Sequence, residues 1–237
     1  MPNTVRTPLL GSYACRVSSS IPVTTSLEDH WTWRPDWAAD RPCLLWYLTF
    51  TGQPALSDLV ETARARLSSV PAVDPVPAPW LHLTLDDVGF EDEVAPEQVR
   101  DVVAAVFAAV AERPLPPLEL GPVTTMVDAL VLEAAPGDSL AELRELLRSC
   151  TDEVLPGATS ALDDFWPHVT LAYSNAPVGR AALLAALDDL GDARLVVEPQ
   201  LVLAAVTRRE KHYQWTSRAL VTGSAGPRTD PGPPPPG

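Results

Sequence analysis

Two short segments of this 237-residue chain carry the same pattern: Leu81-His82-Leu83-Thr84-Leu85 and Pro167-His168-Val169-Thr170-Leu171, with the histidines 86 residues apart. Side chains alternate across a strand, so His82 and Thr84 share one face while Leu81, Leu83 and Leu85 take the other. His168 and Thr170 separate from Val169 and Leu171 in the same way. Each strand thus offers one imidazole and one hydroxyl about 6.6 Å apart along the chain. The surroundings repeat too, each half running strand, helix, loop, His-x-Thr-Leu strand, helix, strand. The period is too long for a solenoid and occurs only twice, which points to an α+β fold of two pseudo-symmetric β-α-β lobes. Antiparallel sheets should flank a central cleft, and a pseudo-dyad would bring the equivalent strands face to face, making a four-point clamp of His82, Thr84, His168 and Thr170.

The remaining elements follow from periodicity. Cys43 to Phe50 (CLLWYLTF) is a short aromatic-rich apolar run that suits a buried strand, and Leu56 to Val70 forms a helical stripe ended by Pro71. Trp80 to Val88 alternates as a strand, and Glu97 to Glu112 carries the strongest helical pattern. Leu118 to Thr125 and Val127 to Ala135 read as strands. Ser139-x-x-Glu142 looks like a capping box opening a helix to about Cys150. Trp166 to Tyr173 reads as a strand, Val178 to Leu190 as a helix, and Leu195 to Val206 and His212 to Val221 as closing strands. The expected division is an N-terminal arm with a Trp cluster (1–40), a bilobal domain (41–223, lobes of about 41–125 and 126–223) and a disordered Pro-rich tail (224–237).

The chemistry the clamp suggests is at phosphorus. Imidazole, with an ordinary pKa of about 6.5, serves as base or acid near neutrality. Cleaving a phosphodiester needs both roles, and the threonine hydroxyls can donate to non-bridging oxygens as charge develops. This scheme needs neither metal nor cofactor, and the sequence holds no His-x-His, His-Asp or His-Glu-x-x-His motif. The net charge of −14 argues against binding long duplex nucleic acid. That acidity is uneven: residues 57–193 hold 24 acidic and 7 basic side chains, whereas 194–222 hold 2 and 5. A small cyclic phosphate or a single RNA end remains compatible. Cys15, Cys43 and Cys150 lie far apart and read as reduced thiols, and the longest wholly apolar run, 102–111, is about half a bilayer span. A cytoplasmic monomer is expected.

The paired motifs in a duplicated α+β frame resemble the 2H phosphoesterase superfamily, which includes the 2′-5′ RNA ligase-like proteins and the cyclic nucleotide phosphodiesterases. The resemblance spans about Arg41 to Val221. It implies a bilobal fold with both histidines in one cleft and metal-independent action on a 2′,3′-cyclic phosphate or 2′-5′ phosphodiester of a nucleotide or RNA end. It also implies catalytic roles for His82 and His168 supported by Thr84 and Thr170, with ligation as the reverse reaction. The alternative is a non-catalytic nucleotide or RNA-end binding module using the same clamp. A metal hydrolase recruiting Asp86 is a third and weaker reading. Asp86 should share the His82 face by alternation, although Asp86 and Asp87 read more simply as strand-end surface charges. His30, among Trp31, Trp33 and Trp37, reads as part of a satellite cluster fastening the arm, the alternative being a cap on the cleft or a stacking partner for a base; His212 reads as part of a solvated hairpin turn, the alternative being a turn that supplies substrate-steering positive charge.

Overall fold

A computed structural model describes residues 24–32, 37–111, 113, 115–159, 165–222 and 225–228. The strands and helices run β1 (Ser26–Leu27), β2 (Cys43–Thr49), α1 (Pro54–Leu67), β3 (Val73–Pro75), β4 (His82–Phe90), α2 (Pro96–Val110), β5 (Leu118–Thr125) and β6 (Ala129–Ala135). They continue with α3 (Gly137–Val154), β7 (His168–Ser174), β8 (Val178–Gly179), α4 (Arg180–Ala186), β9 (Leu195–Val197), β10 (Gln200–Arg209), β11 (His212–Thr222) and β12 (Ala225–Arg228). One five-stranded sheet has the order β12-β11-β10-β2-β4 and the other β3-β7-β6-β5-β9, both antiparallel throughout. β1 and β8 form a small separate pair.

The α+β architecture with two antiparallel sheets agrees with the duplication. The repeats are β2-α1-β4-α2-β5 and β6-α3-β7-α4-β10, and each gives its last strand to the other's sheet: β5 pairs with β6, and β10 with β2. The sheets therefore do not follow the expected consecutive lobes of 41–125 and 126–223. The helices cross in the same manner. α1 and α4 pack on strands of the second sheet and α2 and α3 on strands of the first, leaving the opposite faces of the sheets for the site.

Burial explains why the elements form where they do. All seven residues of β2 are buried, because β10 and β4 flank it and both its faces are covered, so its pattern is a continuous apolar run. α1 buries Leu56, Leu59, Val60, Ala63 and Leu67 on one stripe, and truncating such a leucine to Ala costs about 2–5 kcal/mol. α3 opens at Gly137 after Pro136, whose carbonyl accepts from Leu140 N at 3.3 Å, so Ser139 lies inside the helix rather than at its cap. The expected strand 195–206 is two strands in two sheets, broken at Glu198-Pro199, where proline cannot donate to a ladder. The helix expected over 178–190 is the shorter α4 followed by a 3-10 turn at Asp188–Leu190. Within the expected tail, Ala225–Arg228 pairs with β11; residues 229–237 lie outside the described residues, as does Trp33. Among the described residues no helix is long and apolar enough to cross a membrane.

The β10–β11 hairpin closes through two residues, Glu210 and Lys211, with φ of 53° and 56° between the paired Arg209 and His212. This is the turn geometry that favours Asn-Gly, and a side chain in that region costs about 1–2 kcal/mol. Lys211→Gly is therefore expected to stabilise the fold by about 1 kcal/mol in chemical denaturation; a loss of stability would show that the distant Lys211–Asp74 ion pair, at 3.9 Å, outweighs the backbone strain.

Candidate active site

Each histidine strand begins two residues after a tryptophan, and each uses that tryptophan's backbone in the same way. Trp80 closes a 3-10 turn (Ala78–Trp80) and its carbonyl lies 2.8 Å from His82 Nδ1; the Trp166 carbonyl lies 2.8 Å from His168 Nδ1. A carbonyl only accepts, so both Nδ1 atoms carry hydrogen and donate. In the neutral ring Nε2 is then the atom with a free lone pair.

The strands share a second device. Tyr47 pairs with Thr84 and Trp46 with Asp86, which leaves Leu85 as an extra residue; Val131 pairs with Thr170 and Leu130 with Ala172, which leaves Leu171. A β-bulge thus falls on the leucine of both His-x-Thr-Leu motifs and resets the alternation beyond it. In β4 this overturns the expectation that Asp86 shares the His82 face. Asp86 sits opposite Trp46, away from Tyr47 and Thr84, and it is only 5% exposed, so it is not a surface charge either.

Asp86 points instead toward α3. Arg144 interrupts the buried Leu140–Leu147 stripe, donates from Nε to the Leu85 carbonyl at 3.0 Å and places Nη2 3.4 Å from Asp86 Oδ1, with Arg148 Nη1 at 4.0 Å. The Arg144 guanidinium also lies over the Phe165 ring, 5.2 Å from its centroid. Burial pushes the Asp86 carboxyl up to about 7, with Asp87 adding to the rise and Arg144 and Arg148 opposing it. Asp86 is thereby walled off from the histidines and unavailable to the metal-hydrolase reading. Among the described residues no group of three or more His, Cys, Asp or Glu side chains is placed to hold a metal ion.

The first sheet is concave on the histidine side. β4 and β11 are separated by β2 and β10, about 14 Å in a flat sheet, yet the rings of His82 and Tyr213 are 6.2 Å apart at 86°. Tyr47 stacks on the His82 ring at 4.1 Å and 11°. β7 lies against β4 across the cleft. The two imidazoles are close enough that His168 contributes to lowering the His82 pKa to about 4, behind burial as the main cause, with the Trp80 hydrogen bond opposing. His168 is lowered as well, by burial first and by His30, while the Trp166 bond and Asp128 raise it. Burial thus disfavours the charged form of both rings. Thr84 is exposed beside His82, and Thr170 is buried with its hydroxyl on the His168 strand.

Two histidines outside the motifs do not fit their sequence readings. His30 is buried and is no satellite: Nδ1 lies 2.8 Å from Asp128 Oδ2, Nε2 lies 2.9 Å from the Tyr213 hydroxyl, and the ring packs 4.3 Å from Tyr173. His212 is also buried, at 8% exposure, with Nδ1 3.0 Å from the Glu210 carbonyl and its ring 6.3 Å from Trp80. Tyr47 and Tyr213 carried no signal in the sequence, since each reads as an ordinary aromatic strand residue.

The model of the 2′-5′ RNA ligase superfamily matches residues 52–209, two thirds of the chain and both histidine strands. The chain belongs to that superfamily of 2H phosphoesterases and RNA ligase-like proteins. Among solved structures, TT0787 of Thermus thermophilus is 24% identical with a TM-score of 0.54, over 77% of this chain and 100% of that one, a likeness of fold. E. coli LigT complexed with NADP+ is 18% identical over 75% of this chain and 95% of that one, with a TM-score of 0.49. A phosphoesterase structure is 19% identical over 74% and 95%, also at 0.49. No curated protein matches the sequence significantly.

The buried ion pair under β4 gives a stability test. Arg144→Met alone should cost about 3–5 kcal/mol by stranding Asp86, whereas Asp86→Leu combined with Arg144→Met should cost much less. Costs that simply add in denaturation experiments would contradict the pairing.

Proposed function

We propose that the protein is a metal-independent phosphoesterase that opens a 2′,3′-cyclic phosphate, or cleaves a 2′-5′ phosphodiester, on a nucleotide or RNA end. The observation that carries this reading is the matched pair of imidazoles, each held through Nδ1 to a tryptophan carbonyl at 2.8 Å with Nε2 left for proton transfer. Membership of the superfamily supports the reaction class.

In hydrolysis, one Nε2 takes a proton from water as its oxygen attacks phosphorus. The bond to one ribose oxygen breaks, and the other imidazole gives that oxygen its proton, leaving a phosphomonoester and a hydroxyl. Ligation runs the same transfers in the same direction, with an RNA hydroxyl attacking the cyclic phosphate in place of water, and cleavage of a 2′-5′ phosphodiester back to the cyclic phosphate is its reverse. Thr84 and Thr170 donate to the non-bridging oxygens, where negative charge builds up. The environments of the two rings support a division of labour. His82, lowered to about 4 and without a carboxylate among the causes of its shift, acts as the base; His168, lowered by burial but with the Trp166 bond and Asp128 opposing the fall, acts as the acid.

The active form then has His82 neutral and His168 protonated. In the free protein kcat/KM should form a bell whose ascending limb lies near pH 4, where His82 loses its proton. The descending limb should lie below 6.5, where His168 loses its proton. A bound phosphate anion favours the charged imidazole, so the descending limb of kcat should move to higher pH.

Assays with 2′,3′-cyclic nucleotides and 2′-5′ linked dinucleotides, with and without chelator, test the reading. Turnover should survive chelation and fall by about 10²–10⁴-fold in both His82→Ala and His168→Ala. Loss on chelation would point to a metal enzyme, and tight binding without turnover to a binding module.

A further inference from the structure

The N-terminal arm is tied down by backbone pairing, by the fully buried Leu27 and by Trp31, whose Nε1 donates to Asp74 Oδ2 at 3.0 Å. β1 pairs with β8, Arg180 N donates to the Thr25 carbonyl at 3.0 Å, and Glu28 N donates to the Val127 carbonyl at 2.8 Å. Arg208 adds a side-chain bond to the Trp31 carbonyl at 3.3 Å. Nothing in this docking calls for a buried histidine. Yet the arm delivers His30, 7% exposed, into the middle of an aromatic cluster with Trp31, Tyr173 and Tyr213, and pairs it with a carboxylate. Removing an imidazole, a carboxylate and a phenol from water is costly unless each is hydrogen-bonded, and an apolar residue at position 30 would fasten the arm more simply.

The chain Asp128–His30–Tyr213 is continuous, at 2.8 and 2.9 Å, and it draws on segments at residues 30, 128 and 213 that meet only in the folded protein. A carboxylate accepts, so Nδ1 of His30 carries hydrogen; in the neutral ring Nε2 then takes the Tyr213 hydroxyl hydrogen. This bond orients the phenol hydroxyl, and it holds the Tyr213 ring together with its packing on Trp31, Trp37 and Tyr173. The same ring stands perpendicular to His82, 6.2 Å away, while Tyr47 stacks on the imidazole at 4.1 Å. His82 thus contacts two tyrosines, of which one is set by the strand pairing and the other is bonded to the arm.

We propose that His30, anchored by Asp128, is a positioning residue that acts through Tyr213 to hold the His82 imidazole in its working orientation, so that the N-terminal arm completes the site. This rests on the reading of His82 as a general base. The arm therefore belongs to the working site. The titratable groups around His82 are Tyr47 on β2, Tyr213 on β11 and His168 on β7; those around His30 are Asp128, Tyr173, Tyr213 and His168, with Arg208 on the same side of the arm.

Tyr213→Phe, which keeps the ring and removes only the hydroxyl, is compared with His30→Ala and with the double variant in the full chain. Turnover of a 2′,3′-cyclic nucleotide is measured alongside the titration of the His82 ring by ¹⁵N NMR. Each single variant should lower kcat about tenfold with KM changed less than twofold, the double should lose no more than either single, and the His82 titration should move toward the ordinary imidazole range. Unchanged kcat and His82 titration in a folded Tyr213→Phe protein, or losses that multiply in the double, would overturn the proposal. If the wild-type chain turns over no cyclic phosphate, the functional reading fails, while the NMR titration still decides whether His30 governs His82.

Discussion

The antiparallel pairing of β10 with β2, from Gln200 opposite Thr49 to Val206 opposite Cys43, returns the last third of the chain to the sheet begun by its first third. The counterpart pairing of β5 with β6 does the same in the other sheet. Because each repeat lends a strand to its partner's sheet, neither sheet can be completed without the other repeat. β4 and β7 are consequently held across one cleft by two ladders. The concavity that brings Tyr213 to His82 depends on the same exchange, since β10 carries β11 into the sheet.

On this frame the site is built from backbone more than from side chains. The carbonyls of Trp80 and Trp166 fix the tautomer of the two imidazoles, and bulges at Leu85 and Leu171 end the regular alternation just past the paired threonines. The repeat of both devices, at matching positions in strands with different neighbours, ties them to the motif rather than to local packing. Symmetry ends at the second layer. His82 stacks on Tyr47 and stands perpendicular to Tyr213, whereas His168 stacks on Trp166 at 5.7 Å and feels Asp128 and His30. A cleft with formally equivalent halves thus becomes one with two imidazoles in different surroundings.

The features legible in the sequence were those set by local period. Alternation over 82–85 and 168–171 located both histidine strands, and the apolar stripes located α1 and α2, because those patterns report which side faces a core. What was not legible depends on partners. The bulge at Leu85 is a property of the register between β4 and β2, so alternation alone puts Asp86 on the wrong face. A signal for its true place did exist: Arg144 on an otherwise apolar stripe implies a buried counter-charge. The Glu198-Pro199 break in the last apolar stretch likewise marked a change of sheet. For His30 the neighbouring tryptophans allowed a place at the cleft as the lesser alternative, but its partners were not legible, as it stands in an arm without periodicity and meets Asp128 and Tyr213 only through the tertiary fold.

The central claim is that His82 and His168 are both Nδ1–H tautomers whose Nε2 atoms meet one phosphate. Long-range ¹H–¹⁵N spectra of the histidine rings, recorded at pH 7 during titration with a nucleotide 2′-phosphate, test it directly. The account predicts the Nδ1–H pattern for both rings in the free protein and a shift of both Nε2 signals with a single saturation curve. An Nε2–H pattern in either ring, or a response confined to one of them, would contradict it.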